Sequence, residues 1–170
     1  MAILLSICIP TYQRRAALEA TLDSLMSSVE KLNGKAEICV SDDASTDGTY
    51  SMLEEYSNAH EFVRIRKNSE NLGFDRNLIE TMKMASGGYC WCLGDDEGIS
   101  NESLEELVAA LEGKKFIAGI IPAGDAQNVG TMLKFFPMQS YSQKEFLAAY
   151  INYLLNAGRG LNGFGAMACF

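Results

Sequence analysis

The sequence predicts an α/β fold: a mostly parallel central sheet with helices on both faces. Short, wholly apolar runs recur along the chain, and most are followed by segments whose apolar residues repeat at helical spacing. The resulting alternation, β-α-β-α-β-α-β-α-β, favours parallel strands joined by crossover helices. The chain has 170 residues, 48% of them apolar, which fits one domain with a sizeable core.

The elements follow in order. Ile3 to Ile9 is apolar and β-branched and stops at Pro10, as a buried parallel strand would. From Arg14 to about Val29, Ala17, Leu18, Leu22, Leu25, Met26 and Val29 recur with helical period, and Asn33-Gly34 ends the helix. Ala36 to Ser41 is the second strand, and Thr46 or Asp47 caps a helix running to about Ser57. Phe62 to Arg66 is the third strand, and a polar turn holding Gly73 leads to a helix over 75–85. Gly87-Gly88 stops that helix before a fourth strand, Tyr89 to Leu93. Asn101 caps a helix through about Leu111, and Phe116 to Ile121 is a fifth strand. Beyond Pro122 the rhythm loosens: an extra strand is expected at Met132 to Phe136 and a helix from Ser142 to about Asn156. The last residues, from Gly158, hold four glycines and end on an apolar run.

The net charge of −8 would repel a nucleic-acid backbone and an anionic membrane, so neither is an expected partner. A phosphorylated ligand would have to be met by local cations or by a bound metal. Five cysteines, four of them inside apolar runs, suggest reduced thiols and a cytoplasmic protein. Cys90 and Cys92 would share one face of a strand; without a second Cys or His pair they read as packing rather than as a zinc site. There is no signal-peptide pattern and no run long enough to span a bilayer, so membrane association could come only through regions outside this chain.

Polar clusters fall where the strands end, which is where an open α/β sheet binds its ligand. Pro10-Thr11-Tyr12-Gln13-Arg14 feeds a helix N-terminus and could hold a phosphate or ribose; it lacks the glycines of a dinucleotide fingerprint, and the alternative is a structural turn. Of Asp42 and Asp43, one could accept hydrogen bonds from a base or ribose while the other orients the loop; a turn with an N-cap is the alternative. Asp47 is expected to be structural, since negative charge is favourable near a helix N-terminus. Arg76 stands in a first helical turn, where a cation opposes the helix dipole unless an anion binds or solvent surrounds it. Gly94-Asp95-Asp96-Glu97 offers the one or two carboxylates that Mg²⁺ or Mn²⁺ takes from a protein, the remaining sites going to phosphate and water. His60, the sole histidine, is remote from every cluster, so a Ser-His-Asp triad has no support.

Together these residues resemble the inverting, nucleotide-sugar-dependent glycosyltransferases of family 2, which have the GT-A fold. The matching pieces are Ser6 to Tyr12, Val40 to Thr49, Asn71-Leu72-Gly73, Arg76-Asn77 and Leu93 to Glu97, in that order over residues 3–97. Cys90 to Asp96 is most similar to the abequosyltransferase-like branch, which builds bacterial O-antigen and related polysaccharides. The resemblance implies that Pro10, Thr11, Tyr12, Arg14, Asp42, Asp43, Asn71, Gly73 and Asp95 bind the nucleotide sugar, with Arg76 and Asn77 near the diphosphate or donor sugar. It implies that Asp96, with Asp95, holds Mg²⁺ or Mn²⁺. The reaction would move a hexosyl or deoxyhexosyl group from a nucleotide-diphospho-sugar to a glycan or lipid-linked acceptor hydroxyl with inversion.

The chain departs from the family pattern in places. Gly94 stands where a first carboxylate is common, Glu97 replaces a common Asp, and Gln13 an Asn. The sole acid after Asp125 is Glu145, so the general base is expected outside this chain. The resemblance implies the N-terminal part of a longer protein, with residues 1–121 as the nucleotide-sugar-binding core and 122–170 as the start of an acceptor-binding region. The competing readings are a non-catalytic nucleotide-sugar-binding module, a nucleotidyltransferase and a signalling receiver domain. The last two need, respectively, a glycine-rich basic loop after the first strand and a late lysine.

Overall fold

The structure, a computed structural model, describes residues 2–97, 101–112, 119–122 and 164–169. Its elements run β1 (Leu5–Thr11), α1 (Arg15–Lys31), β2 (Ala36–Asp42), α2 (Thr49–Ala59), β3 (Val63–Lys67), α3 (Phe74–Met82), β4 (Tyr89–Cys92), α4 (Asn101–Leu111), β5 (Gly119–Pro122) and β6 (Phe164–Cys169). They form one sheet in the order β3-β2-β1-β4-β6-β5. β1 lies parallel to β2 and β4, and β2 parallel to β3; β6 runs antiparallel between β4 and β5. The mostly parallel sheet expected from the sequence is therefore present.

Alternation along the strands explains the two faces. Leu5, Ile7, Ile9, Ile38 and Val40 point one way and pack with Leu18, Leu22, Leu25 and Val29 of α1 and Leu104, Val108 and Leu111 of α4. Cys8, Cys39, Cys90 and Cys92 point the other way, against Leu78 and Met82 of α3. These four thiols are free and buried, as strand packing predicts.

Differences from the sequence expectation have local causes. α3 ends at Met82 rather than Ala85 because its last turn tightens: the Met84 and Ala85 amides bond the carbonyls three residues back. The next amide, Ser86 N–H, donates to Glu37 Oε1 at 2.6 Å, drawing the chain down to the sheet. α2 starts at Thr49, after Gly48 at φ 87°. β6 was not expected as a strand, since Gly165 lies within it and further glycines stand just before it. It lies beyond residue 121, so the sheet draws on both sides of the boundary expected there. The strand and helix expected at 132–136 and 142–156, and Glu145, lie outside the described residues. Among the described residues no helix is long and apolar enough to cross a membrane.

The order of strands places the site. From β1 the chain moves outward to β2 and β3, then crosses back to β4 on the other side of β1. A crevice opens at the carboxyl ends of strands where the winding direction reverses in this way.

Candidate functional site

Four loops meet at that point, all at strand carboxyl ends: Thr11–Arg14 after β1, Asp43–Gly48 after β2, Asn68–Gly73 after β3 and Gly94–Glu97 after β4. They enclose a cleft of about 420 Å³, within the range of small-molecule sites.

Asp43 holds one wall. Its Oδ1 accepts from Asn68 Nδ2 (2.8 Å) and Leu72 N (2.9 Å), and its Oδ2 from Gly73 N (2.9 Å). Gly73 sits at φ 80°, a backbone that a side chain would strain, and its amide also reaches Asn71 Oδ1 at 2.9 Å. Asn77, buried in the first turns of α3, donates from Nδ2 to the carbonyls of Ser41 (2.9 Å) and Thr11 (3.3 Å) and accepts from Asn68 Nδ2 at 2.9 Å. Its amide thus joins the ends of β1 and β2.

The loops after β1 and β2 interlock. Gln13 donates from Nε2 to Thr46 Oγ1 (2.9 Å) and accepts from Thr46 N (3.2 Å), while its own amide donates to Ser45 Oγ (2.8 Å). Gln13 and Ala44 both take left-handed backbone, at φ 54° and 62°. Such strain costs non-glycine residues about 1–2 kcal/mol each. Asp47 accepts from Arg15 N and Thr49 N, both at 3.1 Å, and so serves the start of two helices, the structural role expected for it.

The acids after β4 are held by the loop after β1. Asp95 Oδ2 accepts from Thr11 Oγ1 at 2.8 Å, and its backbone carbonyl accepts from Thr21 Oγ1 at 3.1 Å. Arg14 spans both acids, with Nε 3.4 Å from Asp95 Oδ1 and Nη2 donating to Asp96 Oδ2 at 2.6 Å. Burial pushes the Asp95 carboxyl above the usual carboxylate range, against the lowering pull of Thr11 and Arg14. Asp95, then Asp96, raise Arg14 still further above its ordinary value, so it stays charged. Asp96 is exposed. Among the described residues no group of three or more His, Cys, Asp or Glu is placed to hold a metal ion.

Pro10, Thr11, Tyr12, Arg14, Asp43, Asn71, Gly73, Asn77, Asp95 and Asp96, all candidate site residues, line the cleft. Asp42 and Arg76 do not. Asp42 is fully buried; its Oδ1 accepts from Ser45 N at 3.2 Å, and Oδ2 has no partner among the described residues. Arg76 is exposed, because a helix turns about 100° per residue and α3 gives Asn77 and Leu78 to the sheet. The cation facing the acids is Arg14 instead.

Gly94, the first residue of the acidic motif, also lines the cleft, as does Phe74, which the sequence did not single out. Phe74 stands four residues before Leu78 and eight before Met82, so its spacing marks it as core. It is 66% exposed because α3 begins above the end of the sheet. Tyr12 (44%) and Phe74 are the exposed large hydrophobic residues among those described, and both flank the cleft.

The model of Glycosyl transferase family 2 matches residues 6–165. The chain belongs to this family. Abequosyltransferase RfbV of Salmonella typhimurium is 46% identical over 110 residues, covering 64% of this chain and 33% of that protein. Among solved structures, TarS 1-349 of S. aureus in complex with UDP-GlcNAc aligns with a TM-score of 0.59 at 23% identity, over 71% of this chain and 34% of TarS. The mannosyltransferase PcManGT from Pyrobaculum calidifontis, in complex with GDP-Man and Mn²⁺, gives 0.59 at 20% identity, over 73% of this chain and 36% of that one. The fold is accordingly the GT-A fold that these two structures share. The chain spans about a third of the length of these relatives.

Proposed function

We propose that this chain is the donor-binding part of an inverting glycosyltransferase that takes a sugar from a nucleotide-diphospho-sugar, with Mg²⁺ or Mn²⁺, in bacterial cell-surface polysaccharide synthesis. The observation that carries the reading is the convergence, in one cleft, of Asp95-Asp96 with Thr11, Arg14 and the loop that Asp43 holds. The likeness to an abequosyltransferase supports the polysaccharide context. Four free, buried thiols accord with a cytoplasmic protein.

The donor set fits the metal. Two carboxylates and no third ligand among the described residues suit a hard cation that completes its shell with phosphate and water. Asp96, exposed and at the mouth, is the principal ligand; Asp95, held by Thr11, is the second. When bound, the ion neutralises the departing diphosphate. Tyr12 and Phe74 offer flat apolar surface to the nucleoside or the sugar. Deprotonation of the acceptor falls to a base outside the described residues.

Asp96→Asn tests the assignment. Calorimetric affinity for UDP-, GDP-, CDP- or dTDP-sugars in Mn²⁺ should drop sharply. Unchanged affinity in Mn²⁺ would remove Asp96 from the site.

A further inference from the structure

We propose that Arg14 is a built-in countercation for the acidic pair: a divalent ion displaces it from Asp96, and it then engages the donor's diphosphate. The inference rests on the donor site proposed above and assigns that site an order of events.

Three features of the ion pair point this way. First, Arg14 bonds both acids but secures them unequally. Asp95 keeps its bond from Thr11 Oγ1 whether or not Arg14 stays, whereas Arg14 is the one hydrogen-bond partner of the Asp96 carboxylate among the described residues. Departure of the guanidinium therefore frees Asp96 and leaves Asp95 in place. Second, the Arg14 side chain is 47% exposed, so it can leave the acids into solvent without opening the core. It stands at the N-cap of α1, where the helix dipole disfavours a cation and an anion must compensate. Third, Arg14 Nη2 lies 2.6 Å from Asp96 Oδ2, so a divalent ion taking that oxygen would stand within about 5 Å of the guanidinium. Even at the dielectric of water, that repulsion weakens metal binding by roughly tenfold. A diphosphate relieves it, since its oxygens match the guanidinium fork and carry more charge than one carboxylate.

The metal and the diphosphate are then coupled through Arg14. Each binds better when the other is present, by the same factor.

The test compares wild type with Arg14→Met and Arg14→Lys. Mn²⁺ binding to protein alone is read from the paramagnetic resonance signal of free Mn²⁺. Binding of UDP, CDP, GDP and dTDP in EDTA is read by calorimetry. In Arg14→Met, Mn²⁺ alone should bind about tenfold tighter, and the preferred diphosphate about tenfold weaker. These opposite signs separate the switch from misfolding, which weakens both. Arg14→Lys, keeping the charge without the fork, should hold Mn²⁺ affinity near wild type and lose part of the diphosphate affinity. Mn²⁺ affinity unchanged or weakened in Arg14→Met would overturn the proposal while leaving the donor site standing, provided wild type binds a diphosphate. Failure of wild type to bind any diphosphate, with or without Mn²⁺, would overturn both.

Discussion

The two ends of β2 each bury a carboxylate, and the sheet treats them differently. At the amino end Glu37 is closed off. Its Oε1 accepts from Ser6 Oγ and Ser86 N, both at 2.6 Å, and its Oε2 faces Arg64 Nη1 at 3.3 Å. Gly87 seals this end: a Cβ there would lie 2.9 Å from the Leu5 and Ser6 backbone. At the carboxyl end the polar groups are only partly answered. Asp42 Oδ2, Ser41 Oγ and Asn68 Oδ1 are buried without partners among the described residues, two residues sit in left-handed backbone, and two aromatic rings stand exposed. A closed polar network holds a fold together. Backbone strain and exposed rings gathered in the loops around the cleft mark where a ligand would act.

This contrast can be broken by the same acid-to-amide change at both ends of the strand. Glu37→Gln sets an amide N–H₂ against donors and should cost about 3 kcal/mol in denaturant unfolding. Asp42→Asn keeps the bond to Ser45 N and removes an unpartnered carboxylate oxygen, so stability should stay within about 1 kcal/mol of wild type or rise. Equal losses at both positions would erase the distinction between the ends. Asp43→Ala sharpens it. The loss of three bonds at the cleft wall should cost about 2 kcal/mol and weaken nucleoside diphosphate binding in the same preparation.

A pH comparison probes the acids. Burial raises Asp95 in the folded state, so its contribution to stability is full below the ordinary 3.8 and is lost as pH rises through the raised value. Asp95→Asn removes that loss. Its melting temperature relative to wild type should become more favourable as pH rises above 3.8 without ligand, and a constant difference would contradict the assignment. The smallest effect is expected at Ala44. Replacing it by glycine relieves a φ of 62° and should stabilise by about 1 kcal/mol, whereas a loss would show that the side chain matters more than the strain.

The sheet from β1 to β4 and the helices between them were legible, because apolar runs and helical periods are local signals that the core enforces. So was the gathering of Thr11, Asp43, Asp95 and Asp96 at strand ends, since a parallel sheet places all its carboxyl ends on one side. What could not be read was partnership. Arg14 meets Asp96 across 82 residues, and Glu37 meets Ser86 across 49, with no local pattern to announce either contact. The exposure of Phe74 has no local signal either: helical spacing says which face a residue is on, but not whether the sheet extends beneath it. The pairing of β6 between β4 and β5 is likewise a tertiary fact, masked by glycines.

The central claim is that the carboxyl-end cleft takes a nucleotide sugar with a divalent ion. The most direct measurement is the thermal midpoint of the protein against UDP-, GDP-, CDP- and dTDP-sugars, each with Mn²⁺ and with EDTA. A ligand bound only by the folded state raises the midpoint by mass action. The account predicts a rise with one nucleotide class in Mn²⁺ and a smaller one or none in EDTA. No rise with any donor in either condition would contradict it.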